Sequence, residues 1–189
     1  TNDNAFAYGN DAQASGTNSI ALGLATKARG NESVAIGNSA ETASTATTAI
    51  ALGYNVKANG ASSVAFGNGS VAIGQSSFAV GINSTTASGS GSFAGGNGAK
   101  AQGNNSIALG HNVTASGVTS AAFGLNTTAA GQYSFTQGYG TNATNESEAV
   151  LGQFNLPVAS AIFQVGDGTS SSQSNLISAI KGGIPTDSW

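Results

Sequence analysis

Ser19-Ile20-Ala21-Leu22-Gly23 returns fourteen residues later as Ser33-Val34-Ala35-Ile36-Gly37, and the reading of this pair decides the fold. Further copies are Ala49-Ile50-Ala51-Leu52-Gly53, Ser63-Val64-Ala65-Phe66-Gly67, Ser70-Val71-Ala72-Ile73-Gly74 and Ser106-Ile107-Ala108-Leu109-Gly110. The closing glycines of the array stand at 9, 23, 37, 53, 67, 74, 81, 96, 110, 124, 138 and 152, so most steps are 14 residues. One step is 16, with two extra residues within 40–48, and one is 15, with an extra residue within 82–91. Two adjacent steps of 7 sum to 14, so the unit is a coil of two seven-residue halves. The second half has its own form: Lys27-Ala28-Arg29-Gly30, Lys57-Ala58-Asn59-Gly60, Lys100-Ala101-Gln102-Gly103 and Thr114-Ala115-Ser116-Gly117.

Alternation with period two over four or five residues, closed by Gly and small polar residues, predicts a short strand and a corner. No apolar stripe of period 3.6 is present, and a Gly every seventh residue would cost a helix about 1 kcal/mol each. Glycine at each strand end would permit the positive φ of a tight corner. The expectation is an all-β chain: a parallel β-roll of 14-residue coils over residues 1–153, followed by a short β-hairpin region over 154–189.

Side chains alternate between the faces of a strand. Lys27 and Arg29 flank Ala28 and must face water, so Ala28 points into the roll. The two halves are quasi-equivalent, which places Ala21, Ala35, Ala51, Ala58, Ala108 and Ala115 inside as well. Ile20, Leu22, Val34, Ile36, Ile50, Leu52, Val64, Phe66, Ile107 and Leu109 then point outward. The competing assignment turns Val and Ile inward and Ala outward. In the first assignment a ladder of large apolar residues lies outside and must be covered, and identical chains around a three-fold axis, a homotrimer, would cover it symmetrically. Val71 and Ile73 stand in second-half positions and would form a small exposed apolar patch.

Only 7% of the residues are charged, against roughly 25% in ordinary domains, and the net charge is −3. Five scattered basic residues exclude a phosphate-binding surface, so no nucleic acid is expected as partner. No Cys is present, which excludes disulfides and thiolate sites. No apolar run approaches the ~20 residues of a membrane helix, so no direct membrane insertion is expected. His111 is the only histidine and reads as a turn residue. Glu146 and Glu148 are close in sequence and read as solvated corner residues. No catalytic set, metal site or cofactor is expected.

Ser-Val-Ala-Ile-Gly followed by x-x-Ala-x-Ala-x-Gly resembles the head repeat of trimeric autotransporter adhesins of the YadA type, over about residues 5–153. The resemblance implies a left-handed parallel β-roll, a trimer, and extracellular attachment to a host or cell surface. Residues 154–189 carry neither a heptad stalk nor a barrel pattern; they read as two strands, with Gly166-Asp167-Gly168 as a turn. The run Val165-Gly166-Asp167-Gly168-Thr169 is similar to segments following such repeats in bacteriophage tail fibres. The location expected is therefore extracellular, on a bacterial surface or a virion tail fibre.

The function expected is a non-catalytic adhesion module for a protein or glycan receptor, with a bacteriophage tail-fibre host-recognition segment or a structural spacer in a surface fibre as the alternatives. The irregular loops supply the candidate receptor contacts: Thr42, Ser44, Thr45 and Thr47 in the first, and Asn83, Ser84, Thr85 and Ser88 in the second. Ice binding would need a Thr-x-Thr ladder in register, which the sequence lacks.

Overall fold

The computed structural model describes residues 4–83 and 85–182; residues 1–3, Ser84 and the segment 183–189 lie outside the described residues. Among them every regular element is a strand, arranged as one thirteen-stranded and one ten-stranded sheet. Each coil gives one strand to each sheet. Ile20–Leu24, Val34–Asn38 and Ile50–Tyr54 are successive strands of the first sheet, and Lys27–Ala28, Glu41–Thr42 and Lys57–Ala58 of the second. Pairing is parallel and keeps the repeat in register: Ala21 opposes Ala35 and Ala35 opposes Ala51. The bonds between coils run along the roll axis, as from Ile20 N to Ser33 O at 2.9 Å and from Val34 N to Ala49 O at 2.9 Å.

The interior is narrow because only small side chains turn inward. Ala21, Ala28, Ala35, Ala51, Ala58, Ala108 and Ala115 are all fully buried. Ser precedes most first strands, and four of its hydroxyls are held locally: Ser19, Ser33, Ser92 and Ser120 each donate to the carbonyl of the Gly three residues earlier, at 2.6 to 2.7 Å. Among the larger buried apolar side chains are Val56, Val113 and Val150. Ala28 is stacked between Ala14 and Thr42 of the adjoining coils. Replacing it with Leu adds atoms where the coil has no room, and should cost about 1–3 kcal/mol. Thermal denaturation of Ala28→Leu checks this, at roughly 2–4 °C lost per kcal/mol for a chain of this size.

The glycines and corners divide their work differently from the sequence expectation. The first-half glycine Gly37 does have positive φ, at 131°, but the second-half glycine Gly103 does not. Gly103 is required by proximity: a Cβ there would lie 2.0 Å from the carbonyl oxygen of Gly117 in the next coil. The left-handed residues are mostly not glycine. They recur every seven residues at the corners, for example Asn18, Ala25, Glu32 and Ser39, with φ between 53° and 57°. Asn and Ser tolerate this region better than most, but Ala25 and Glu32 are held there by the coils on either side.

The roll ends through a polar plug and a reversal. Ala161–Asp167 pairs in parallel with Ala149–Gln153, again at an offset of 14, with Gly152 opposite Gly166. Asn175–Ile180 then pairs antiparallel to it. Gly166 and Asp167 therefore belong to a strand rather than to the expected turn, which lies further on, where Thr169 and Ser172 bond each other through their backbones. The second sheet stops at Asn142–Ala143 because a side chain substitutes for its next strand. The Asn155 amide accepts from Asn142 N at 2.7 Å and donates to Asn142 O at 2.9 Å. Asn155 also donates to Gln164 Oε1 at 2.7 Å, and both side chains are fully buried.

Candidate functional site

Two features of the molecule are available to partners: the outer face of the first sheet and the corners. On the outer face the register assembles two apolar columns. One runs Ile20, Val34, Ile50, Val64, Phe78, Phe93 and Ile107; the other runs Leu22, Ile36, Leu52, Phe66, Val80, Gly95 and Leu109. Ile20, Ile36 and Ile107 are each 37% exposed and Phe66 51%, while Leu22, Val34, Ile50, Leu52, Val64 and Leu109 are half-buried by their neighbours along the column. Phe78 and Phe93 stack in adjacent coils with ring centroids 5.2 Å apart. At Gly95 the second column has no side chain, and Leu109 leans into the space. This is a continuous apolar strip along the rod, of a kind rare on isolated soluble chains.

The outward column of the second sheet is polar by contrast. In register it reads Gln13, Lys27, Glu41, Lys57, Val71, Thr86, Lys100, Thr114, Thr128 and Asn142. Glu41 sits between Lys27 and Lys57 and pairs with the Arg29 guanidinium. Ile73 is 48% exposed and Val71 half-buried, so the second-half copy presents a single large apolar side chain to solvent on this face.

The structure separates the loop residues singled out in the sequence. Ser44, Thr45, Thr47 and Asn83 are exposed and Ser88 is half-buried, while Ser84 lies outside the described residues. Thr42 and Thr85 are fully buried and are no part of a receptor surface. Thr42 occupies the inward position opposite Ala28 and Ala58; its hydroxyl accepts from Arg29 N at 3.0 Å and bonds the Ser33 hydroxyl at 2.8 Å. The Thr85 hydroxyl lies 2.8 Å from Gly96 O and 3.0 Å from Ile82 O and donates to these carbonyls. The first insertion is also shallower than its length implies. Ala46 is fully buried and brings its carbonyl to the place under Gly30 that a glycine carbonyl takes in other coils.

Of the acids, Glu146 is exposed, but Glu148 is buried and not the solvated corner residue expected. It stands in the Ser column, where its Oε2 accepts from Thr144 N at 2.8 Å, Asn145 N at 2.9 Å and Asn145 Nδ2 at 3.0 Å. His111 is exposed at the end of its strand. Among the described residues no three His, Asp or Glu side chains converge as metal ligands would.

The geometry is thus a stack of two-stranded coils carrying Ser and Ala inward and an apolar strip outward. The YadA head domain repeat (2 copies) matches this chain at residues 1–26, 14–40, 44–70, 67–85, 87–112 and 115–135, more than half of its length. The chain belongs to the YadA head repeat family. That family is one of structural, surface-exposed adhesins, so the YadA-type coil is here an adhesin-like module. Among curated proteins none matches the chain. The matched stretches of the YadA repeat include the strands that build the apolar strip and the corners between them. Sequence reasoning missed the left-handed corners, which only their seven-residue spacing could have revealed.

Proposed function

We propose that this chain is the head module of a homotrimeric fibrous adhesin that acts outside the cell and attaches to a host or cell surface through a protein or glycan. The observation that carries the reading is the apolar strip on the first sheet, with Ile20, Ile36, Phe66 and Ile107 all more than one-third exposed in the single chain. At about 25 cal/mol per Å² of apolar surface, a strip repeated in ten or so coils is a large unmet driving force. Three chains facing a common axis satisfy it and leave the polar second sheet and its corners for the ligand. The low charge of the outer surface suits a contact made by hydrogen bonds from Asn, Ser and Thr rather than by long-range steering.

The test begins with solution mass. Light scattering should give about three times the 18.3 kDa of one chain. The same material should be retained on immobilised matrix proteins or surface glycans, and trimming the exposed Ser44, Thr45 and Thr47 should reduce retention if that loop is a contact. A stable monomer would remove the assembly. Retention on no surface of either class would leave the spacer role instead.

A further inference from the structure

We infer that the corner at Gly98 is a binding site for a monoanionic sugar unit, a hydroxylated ring bearing one carboxylate or sulfate. The site is formed within a single chain, so it goes beyond the assembly proposed above and does not depend on it. A cavity of about 340 Å³ opens there, lined by Asn83, Gly98, Lys100, Asn112 and Thr114 of three successive coils.

The cavity opens where the corner at Gly98 lacks a side chain; of the glycine corners Gly69, Gly98 and Gly140 in this column, Gly98 is the one followed two residues on by a lysine. Asn83, Gly98 and Asn112 occupy equivalent corners, all left-handed, with φ of 53°, 65° and 51°. Asn is the residue on both sides, and Gly98 leaves a notch between them. The space a Cβ would take at Gly98 is bordered by Asn112 Oδ1 at 2.8 Å and by Asn83 O at 3.7 Å. A left-handed corner accepts Asn readily, so glycine is not needed there for backbone reasons alone.

The charge at the notch is uncompensated. Along the outward column Lys27 and Lys57 both neighbour Glu41, but Lys100 lies between Thr86 and Thr114. The nearest acid in that column, Glu41, is four coils away, about 19 Å at ~4.8 Å per coil. Lys100 is exposed and makes no ion pair with any described residue. Its ammonium is a point charge with three donors, suited to one oxyanion rather than to a bidentate phosphate clamp. The remaining lining groups are two primary amides and one hydroxyl, which both donate and accept, as a ring with several hydroxyls requires. Asn83 Nδ2 donates to Asn97 Oδ1 at 2.9 Å, which fixes the orientation of the Asn83 amide at the cavity. No aromatic ring lines the cavity, so nothing favours a base or another flat apolar ligand.

The test uses the intact chain, observed by NMR during titration with glucuronate, glucose 6-sulfate and glucose. The anionic sugars should shift the amides of Gly98, Lys100 and Asn112 saturably, one site per chain and in the millimolar range, more weakly as salt is raised. Glucose should bind at least tenfold more weakly. The comparison of glucuronate with the sulfate decides which oxyanion is preferred. Gly98→Asn, which restores the side chain carried by the neighbouring corners, should fill the notch and lower affinity at least tenfold. Lys100→Gln should do the same, and Lys57→Gln should have no effect. Light scattering and circular dichroism on each variant show whether assembly and fold persist, so that loss of the site is read separately from loss of the trimer. No saturable shift with either anionic sugar, equal binding of glucose, or unchanged binding by folded Gly98→Asn would each overturn the inference.

Discussion

Ile36→Asp should convert the assembly from about three times the 18.3 kDa chain mass to a single chain. Ile36 lies in the outer column between Leu22 and Leu52 and is 37% exposed before any partner arrives. In a three-fold assembly the substitution removes about 2–3 kcal/mol of apolar burial from each chain. It also places three like charges near one axis in a dry environment, where a carboxylate without a partner is costly. The two effects act on every chain at once, so one substitution is enough. Thr114→Asp, at an outward position of the second sheet, provides the control and should leave the mass unchanged. A folded Ile36→Asp protein that remained trimeric would show that this strip is not the surface the chains share.

Gly103→Ala should lower stability by at least about 3 kcal/mol, beyond the usual range for overpacking. The new methyl carbon would sit 2.0 Å from Gly117 O, 2.5 Å from its carbonyl carbon and 3.0 Å from Ser116 O. All three are backbone atoms, so no rotamer change relieves the contact. Relief requires parting two coils, and that breaks the bonds from Gln102 N and Gly103 N to Ala115 O. Ser116→Ala, at an exposed side chain beside the same contact, should change stability by no more than ~0.5 kcal/mol. Thermal melts of both variants check the pair. An unshifted melting temperature for Gly103→Ala would contradict the stacking of Gly103 on Gly117.

The coil was legible in the sequence because two independent signals coincide: glycine at fixed spacing and period-two alternation around an Ala. Lys27 and Arg29 supplied the direction, since charges on both sides of Ala28 leave only one face for water. Three things were hidden for physical reasons. Counting residues locates an insertion but not the residue that bulges; alternation is still intact at Thr42 and has resumed at Thr85, so both point inward. Glu148 reads as solvated because acids usually are, yet at the last coils backbone and amide donors of Thr144 and Asn145 are free to take it. The left-handed corners use residues as different as Asn18, Ala25, Glu32 and Tyr133, so no composition marks them. The notch at Gly98 is hidden for the same reason: it is an absence within a pattern that only the folded register reveals.

The direction of the hydrogen bonds between coils has a mechanical consequence. Because they lie along the axis, tension on one end of a chain bears on the terminal coil alone, not on the whole sheet. Each coil that peels away frees 14 residues, as the offset of Ala108 and Ala122 shows. Fully extended, that is about 46–50 Å of chain, roughly ten times the ~4.8 Å the coil occupied in the stack. A chain built this way yields by lengthening in steps of 14 to 16 residues, and in the proposed trimer the copies would share the load across their outer strips rather than along their threads.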